Sequence, residues 1–400
     1  MKPRKILLFT RPLTPPWDEA SKNLAFELSQ NMEGNFFVEI LTTAPFAKKI
    51  KAENRLKEKF FVQINPNPIF FSPQLNFLAK IKLLHRLFRI NLNADFIHFL
   101  FTPRSLTSFF FQLRLKFFKG KTLLTMATFS DNQKKIKTTQ EKQSKKWRKI
   151  LFFDQIITQS HYSEKKLRKL GFKNVQTIYP GIDLEKFSPQ PKNQEVLQTL
   201  NLTKENKIIL YAGEYLRLGE NVVDEIIDAF ALLNKNPKKQ QLDTKNLRLI
   251  LAIRLKSKKD KLKKQQLIKK VQRLACSNKI IFLDFFNQMP ELYRLSTLNI
   301  FPAHKMKGKF DIPYAVLEPM ACAKPVIISD LPILQEFIKN NKTGLVTKSN
   351  SPKSLAKSMA LLLKNSSLRK KLGLNARQYT EENFDIKNTA KKYAAVYKKL

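Results

Sequence analysis

The stretch Leu317-Glu318-Pro319-Met320-Ala321-Cys322-Ala323-Lys324-Pro325-Val326-Ile327-Ile328 decides the fold. It sets a carboxylate at the start of a small-residue helical turn, Met320 to Ala323, whose backbone a ligand can approach closely. Lys324-Pro325 ends that turn, and Pro325-Val326-Ile327-Ile328 reads as a short strand buried on both faces. A helix feeding a fully apolar strand is one step of an open parallel sheet covered by helices.

The same alternation extends outward in both directions. Towards the C-terminus come a strand at Gly344-Leu345-Val346 and helices from Leu355 and from Lys387. Before the opening stretch, strands are predicted at 207–213, 247–253, 280–283 and 299–302, with an amphipathic helix from Val222 to Leu233. Further back lie strands at 5–10, 36–42, 60–64, 95–99, 122–125, 155–158 and 175–178. Helices are predicted from the cap Asp18 through Leu24, Ala25, Leu28 and Met32, from Phe77 to Asn91, and from Ser163 to Leu170 before Gly171. Tyr179-Pro180-Gly181-Ile182-Asp183, with Pro189 and Pro191, punctuates the middle of the chain. These signals divide it into residues 1–190, residues 191–384, and a last helix, 385–400, expected to pack back on the first domain.

The bulk composition agrees with two cores. The 400 residues are 43% hydrophobic and 26% charged, a globular balance. Two cysteines, Cys276 and Cys322, stand outside any CxxC or Cys/His spacing, which argues against a disulfide scaffold or structural zinc. The apolar run Ile6 to Phe9 is interrupted by Thr10 and Arg11, so no secretory signal is expected. No run approaches the ~18 apolar residues of a membrane span. A cytoplasmic protein is the expectation.

Lys and Arg number 74 against 32 Asp and Glu, a net charge of +42. Such a field attracts phosphates on nucleotides, nucleic acids or lipids, although an AT-rich coding bias is the alternative source. Residues 80–150 hold 17 Lys and Arg against 3 Asp and Glu. Lys82, Arg86 and Arg89 form one helical stripe, and Arg114, Lys116, Lys119 and Lys121 are interleaved with Phe117 and Phe118. Reversible attachment to an anionic membrane surface, at the inner face of the cell membrane, is the partner this pattern suggests.

Three groups of residues resemble family-four glycosyltransferases of the GT-B class. The first runs Ser160-His161-Tyr162-Ser163-Glu164, Leu170-Gly171, Ile178 to Asp183 and Phe187-Ser188-Pro189. The second is the opening stretch, followed by Ser329-Asp330, Glu336 and Thr343-Gly344-Leu345-Val346. The third joins Ile209 to Gly213 with Leu292-Tyr293 and Ile300-Phe301-Pro302. The resemblance implies two doubly wound Rossmann-like α/β domains facing a cleft, and a nucleotide-sugar donor held mainly by the second. A glycan or lipid-linked acceptor would meet the first. It also implies retention of anomeric configuration, no metal and no cofactor.

In that family the carboxylate at Glu318 holds the donor ribose, and charged hydrogen bonds to vicinal hydroxyls are strong. An earlier family Glu falls at Phe310, so Asp311 is the substitute contact to the transferred sugar, with Lys309 and Pro313 beside it in the donor set. The family's Arg after the first Gly is Glu214 here. Arg217 is therefore the first candidate cation for the diphosphate, and Arg254 with Lys256, at the end of a strand and pointing to one face at alternating positions, the second. A solvated basic loop is the alternative for that second pair. The glycine-rich first loop is replaced by Pro15 to Ala20, and Ala127 stands where a His is common. Asp18 and His98 remain as acceptor-side candidates, against a simple cap and a satisfied semi-buried His.

Hydrolase elbow, zincin, P-loop and kinase motifs are absent, and no aromatic signature suggests a specific nucleic-acid partner. The rival readings are a sugar-nucleotide epimerase on this fold, disfavoured by only four histidines, and a catalytically degenerate GT-B binding protein. A charge-driven nucleic-acid binder is the third.

Overall fold

The computed structural model describes residues 3–10, 20–43, 62–65, 92–100, 105–129, 140–235, 242–306 and 310–400. The chain forms two compact units, Met1–Gly181 with Ile386–Leu400, and Ile182–Asp385.

The first unit is built on strands β1 (Arg4–Phe9), β2 (Phe36–Thr43), β3 (Val62–Asn65), β4 (Phe96–Phe99), β5 (Lys121–Met126), β6 (Gln155–Thr158) and β7 (Val175–Thr177). They pair in parallel in the order β3-β2-β1-β4-β5-β6-β7. Phe9, Phe99 and Phe111 meet in the core beneath this sheet, with Phe9 and Phe99 stacked at 4.9 Å between ring centroids. The predicted helix from Phe77 to Asn91, and the stripe Lys82, Arg86 and Arg89, lie outside the described residues.

The second unit uses β8 (Lys207–Gly213), β9 (Leu247–Ile253), β10 (Ile280–Leu283), β11 (Leu298–Phe301), β12 (Val326–Ser329) and β13 (Leu345–Thr347). Their order is β10-β9-β8-β11-β12-β13, again parallel. Ile208, Ile209, Leu210, Leu249, Ile250 and Leu251 are fully buried, which is why these strands read as continuous apolar runs. Each sheet reverses its order of strand addition once, at β1/β4 and at β8/β11. The carboxyl ends of such a strand pair form the crevice that open α/β sheets use for ligands. Both cysteines are buried and free.

The second unit opens at Ile182, ahead of the division predicted after residue 190. Ile182 donates its N–H to the Phe384 carbonyl and bridges Asp385. Arg377 then binds the carbonyl of Phe187 at 2.8 Å, and Arg294 those of Lys186 and Ser188 at 2.8 and 3.0 Å. Two arginines thus fasten residues 184–188 to the second core. Gly181 has no room for a side chain, because a Cβ there would lie 2.5 Å from Ile386 Cα. The helix Ile386–Lys399 belongs to the first unit and packs on the helix Ala20–Asn31.

Candidate functional site

At the carboxyl edge of the second sheet, two loops are sewn together. The N–H groups of His304 and Lys305, just past β11, both donate to the Leu218 carbonyl, at 2.9 and 3.0 Å. Gly219 adopts φ +143°, and a Cβ there would come 2.9 Å from His304 Nδ1, so the close approach requires glycine. His304 Nε2 in turn pairs with the buried Glu225 carboxylate, whose other oxygen accepts the Ser351 N–H at 2.9 Å. One acid therefore ties the helix Val222–Lys235 to the loops after β11 and β13. His304 was not among the sequence candidates. Its position two residues after Phe301-Pro302 is the local signal, since its partner lies in a distant segment.

Two of the candidate cations, Arg217 and Lys256, do come together, but on a carboxylate of the chain itself. Glu214, 9% exposed, is held below by the Tyr211 hydroxyl donating to its carbonyl at 3.1 Å. Its Oε1 receives Lys256 Nζ at 3.0 Å and Arg217 at 3.5 Å. Strand β9 stops at Ile253, so Arg254 and Lys256 occupy the loop beyond it rather than alternating strand positions. That loop is fixed by the helix Lys258–Gln272, whose cap Ser257 accepts the Asp260 N–H while Asp260 accepts the Lys256 N–H at 3.1 Å. Partial burial lowers the Arg254 pKa from its ordinary value.

The donor-motif helix starts earlier than its sequence suggests. It runs Tyr314–Ala321, with Pro313 as cap residue and no side-chain cap, so Glu318 sits one turn inside it rather than at its start. Proline at 313 has the extended conformation that begins a helix and supplies no N–H of its own. Asp311 is fully buried just before this end, and Pro313 is buried too. Glu318 is half-buried; burial pushes its pKa up to about 7, opposed by a hydrogen bond from Tyr293 and by the charge of Lys186. Near neutrality the group is thus divided between carboxylate and acid, both able to accept from a sugar hydroxyl. Lys309 and Asp18 lie outside the described residues.

His98 has a different place from the acceptor-side one expected of it. It is fully buried, with Nδ1 2.6 Å from the Tyr397 hydroxyl and Nε2 2.8 Å from Thr125 Oγ1. Thr125 continues the chain to the Tyr393 hydroxyl at 2.9 Å. Burial drives the His98 pKa down to about 3, so the imidazole is neutral and fastens the last helix to β4 and β5. Among the described residues no group of three or more His, Cys, Asp or Glu side chains is placed to hold a metal ion. Among them, too, no helix is long and apolar enough to cross a membrane.

Two parallel-sheet α/β domains with these strand orders define a GT-B fold. The structure of Anabaena HepE in complex with UDP and glucose superposes with a TM-score of 0.76 at 16% identity, covering 99% of this chain and 100% of that one. Residues 192–379, which lie in the second unit, match the glycosyl transferases group 1 family. Among curated relatives, an uncharacterized glycosyltransferase of Methanocaldococcus jannaschii is 24% identical over 231 residues, 57% of this chain and 53% of its own length. The N,N'-diacetylbacillosaminyl-diphospho-undecaprenol alpha-1,3-N-acetylgalactosaminyltransferase of Campylobacter jejuni is 30% identical over 124 residues, 31% of this chain and 32% of its own. The chain spans about half the length of the first curated relatives it matches.

Proposed function

We propose that this protein is a glycosyltransferase that moves a sugar from a nucleotide-sugar donor to a glycan or lipid-linked acceptor, with retention and without a metal ion. The observation that carries the reading is the group 1 match over residues 192–379, with Glu318 inside the helix that precedes β12. The HepE complex with UDP and glucose, and the diphospho-undecaprenol in the name of the Campylobacter relative, favour this donor and acceptor chemistry. Glu318 would hold the donor ribose, whereas Asp311, the sequence candidate for the transferred sugar, is fully buried. As the bond from C1 to the diphosphate oxygen breaks and the acceptor hydroxyl oxygen bonds to C1, the hydroxyl proton passes to the leaving diphosphate, on which the charge collects. Arg217, Arg254 and Lys256 are the cations to meet it, with the uncapped N-terminus of the helix Tyr314–Ala321.

The basic first unit supports a peripheral position on an anionic membrane at the cytoplasmic face. A second reading, a binding protein without turnover, is favoured by one observation: Lys256 and Arg217 are both engaged by Glu214. Thermal-shift screening against UDP-, GDP-, ADP- and dTDP-sugars, followed by turnover with the stabilising donor, separates the two. The transferase reading expects one donor to stabilise the fold and to be consumed at a rate indifferent to chelator. Stabilisation without consumption selects the binding protein, and strict metal dependence overturns the metal-free mechanism.

A further inference from the structure

The helix Ser105–Leu115 and the turn after it have two unlike faces. Ser108 and Phe111 are buried, and Phe110, Leu115 and Phe118 pack on the core of the first unit. On the outside, Phe109, Leu113 and Phe117 are 59%, 38% and 80% exposed. Their spacing of four residues puts them along one stripe, and the Lys116 N–H donating to Gln112 carries the helical path past Leu115. An aromatic side chain left four-fifths in water serves no packing role in its own domain.

The surroundings of this stripe are cationic. Lys116 and Lys119 are exposed beside it, and Gln112 donates to the Lys149 carbonyl at 2.9 Å, which brings the exposed Arg148 and Lys149 to the same side. No Asp or Glu occurs between residues 105 and 121. A protein partner of mixed surface would leave these charges unmatched, whereas an anionic bilayer offers an apolar layer beneath a negative headgroup plane. We propose that Phe109, Leu113 and Phe117 form the element of the first unit that enters an anionic lipid surface, with Lys116, Lys119 and Lys149 against the headgroups. This deepens the membrane reading above and rests on it.

The test reads the stripe directly. Both native thiols are buried, so a Phe117→Cys variant takes a nitrobenzoxadiazole label at that position, and Lys357→Cys, exposed in the second unit, is the control. Mixed phosphatidylglycerol–phosphatidylcholine vesicles at low salt should raise and blue-shift the emission at residue 117 and leave residue 357 unchanged. Pure phosphatidylcholine should do neither. The unlabelled double variant Phe109→Ser, Phe117→Ser should sediment with anionic vesicles roughly tenfold more weakly, with an unchanged melting temperature. Vesicle binding without a signal at residue 117 overturns the stripe and leaves the membrane reading standing. No vesicle binding overturns both, while donor stabilisation, measured without lipid, reports separately on the transferase.

Discussion

Lys256 Nζ lies 3.0 Å from Glu214 Oε1, and this pair sits at the carboxyl end of β8 beside the reversal of strand order in the second sheet. Arg217 reaches the same oxygen at 3.5 Å. A diphosphate that needs these cations must compete with an internal anion. Replacing the anion by an isosteric amide therefore favours the ligand. Glu214→Gln should tighten donor binding by about threefold to tenfold, since a half-buried ion pair contributes on the order of 1 kcal/mol. Titration calorimetry with the stabilising nucleotide-sugar decides it. Weaker binding in Glu214→Gln would show that the carboxylate positions the cations instead of competing for them. In the same assay Arg217→Ala should slow turnover at saturating donor with little change in melting temperature, because the side chain is half exposed.

Glu318 should leave a mark on both ligand affinity and pH dependence. Glu318→Ala should cost ~1.5–3 kcal/mol of donor binding, the range for a hydrogen bond to a charged group. The stability effect has a definite sign. A carboxyl raised to about 7 in the folded chain holds a proton that the unfolded chain releases, so the stability present at low pH is lost as pH rises through 7. Glu318→Gln keeps the neutral shape at every pH. It should gain stability relative to wild type between pH 5 and pH 8, by less than about 3 kcal/mol because the side chain is partly exposed. Urea melts of both proteins at the two pH values measure it, and a constant difference would remove the buried-acid account.

The strands were legible because a parallel strand buried on both faces leaves a continuous apolar run, as at Ile208 to Tyr211 and Val326 to Ile328. The helix Ser366–Phe384 was not. Its buried face is Leu372, Gly373, Ala376, Thr380 and Phe384, mostly small or polar residues that carry no hydrophobic period. The helix Lys258–Gln272 hides for another reason. It buries only Leu267 and Val271, and Lys263, Lys264 and Lys270 pair with Asp224, Asp284 and Asp228, so a folded helix reads as a charge run. At the site, Glu318 was readable from its neighbours in sequence. The engagement of Arg217 and Lys256 by Glu214 was not, because Lys256 comes from the next strand's loop.

The turn after the donor-motif helix holds a point of strain. Ala323 has φ +54°, a left-handed conformation in which a Cβ meets the carbonyl oxygen. Ala323→Gly relieves ~1–2 kcal/mol of that strain and loses ~0.4–1 kcal/mol to the freer unfolded chain, so a net gain of roughly 0.5–1 kcal/mol is expected. The midpoint of urea unfolding should rise with an unchanged slope. A lower midpoint would mean that the methyl group's packing outweighs the backbone term.

The last prediction concerns the fastening of the C-terminal helix. His98 accepts or donates at both ring nitrogens, to Tyr397 and Thr125, and Tyr393 closes the network on Thr125. These groups are neutral, and burial alone depresses the His98 pKa to about 3. An unfolded chain protonates this histidine near pH 6.5, whereas the folded chain does not. The stability it contributes is therefore complete above pH 6.5 and is lost as pH falls toward 3. At pH 5 the loss amounts to roughly 2 kcal/mol. Glutamine at this position keeps one donor and one acceptor but cannot titrate. His98→Gln should thus be less stable than wild type at pH 7.5, by about 1–3 kcal/mol for imperfectly paired buried groups, and the gap should close by roughly 2 kcal/mol at pH 5. Donor binding, proposed for the other unit, should be unchanged while the protein is folded. A gap that stays constant with pH would mean that His98 is protonated in the folded chain, and the neutral fastening would then be wrong.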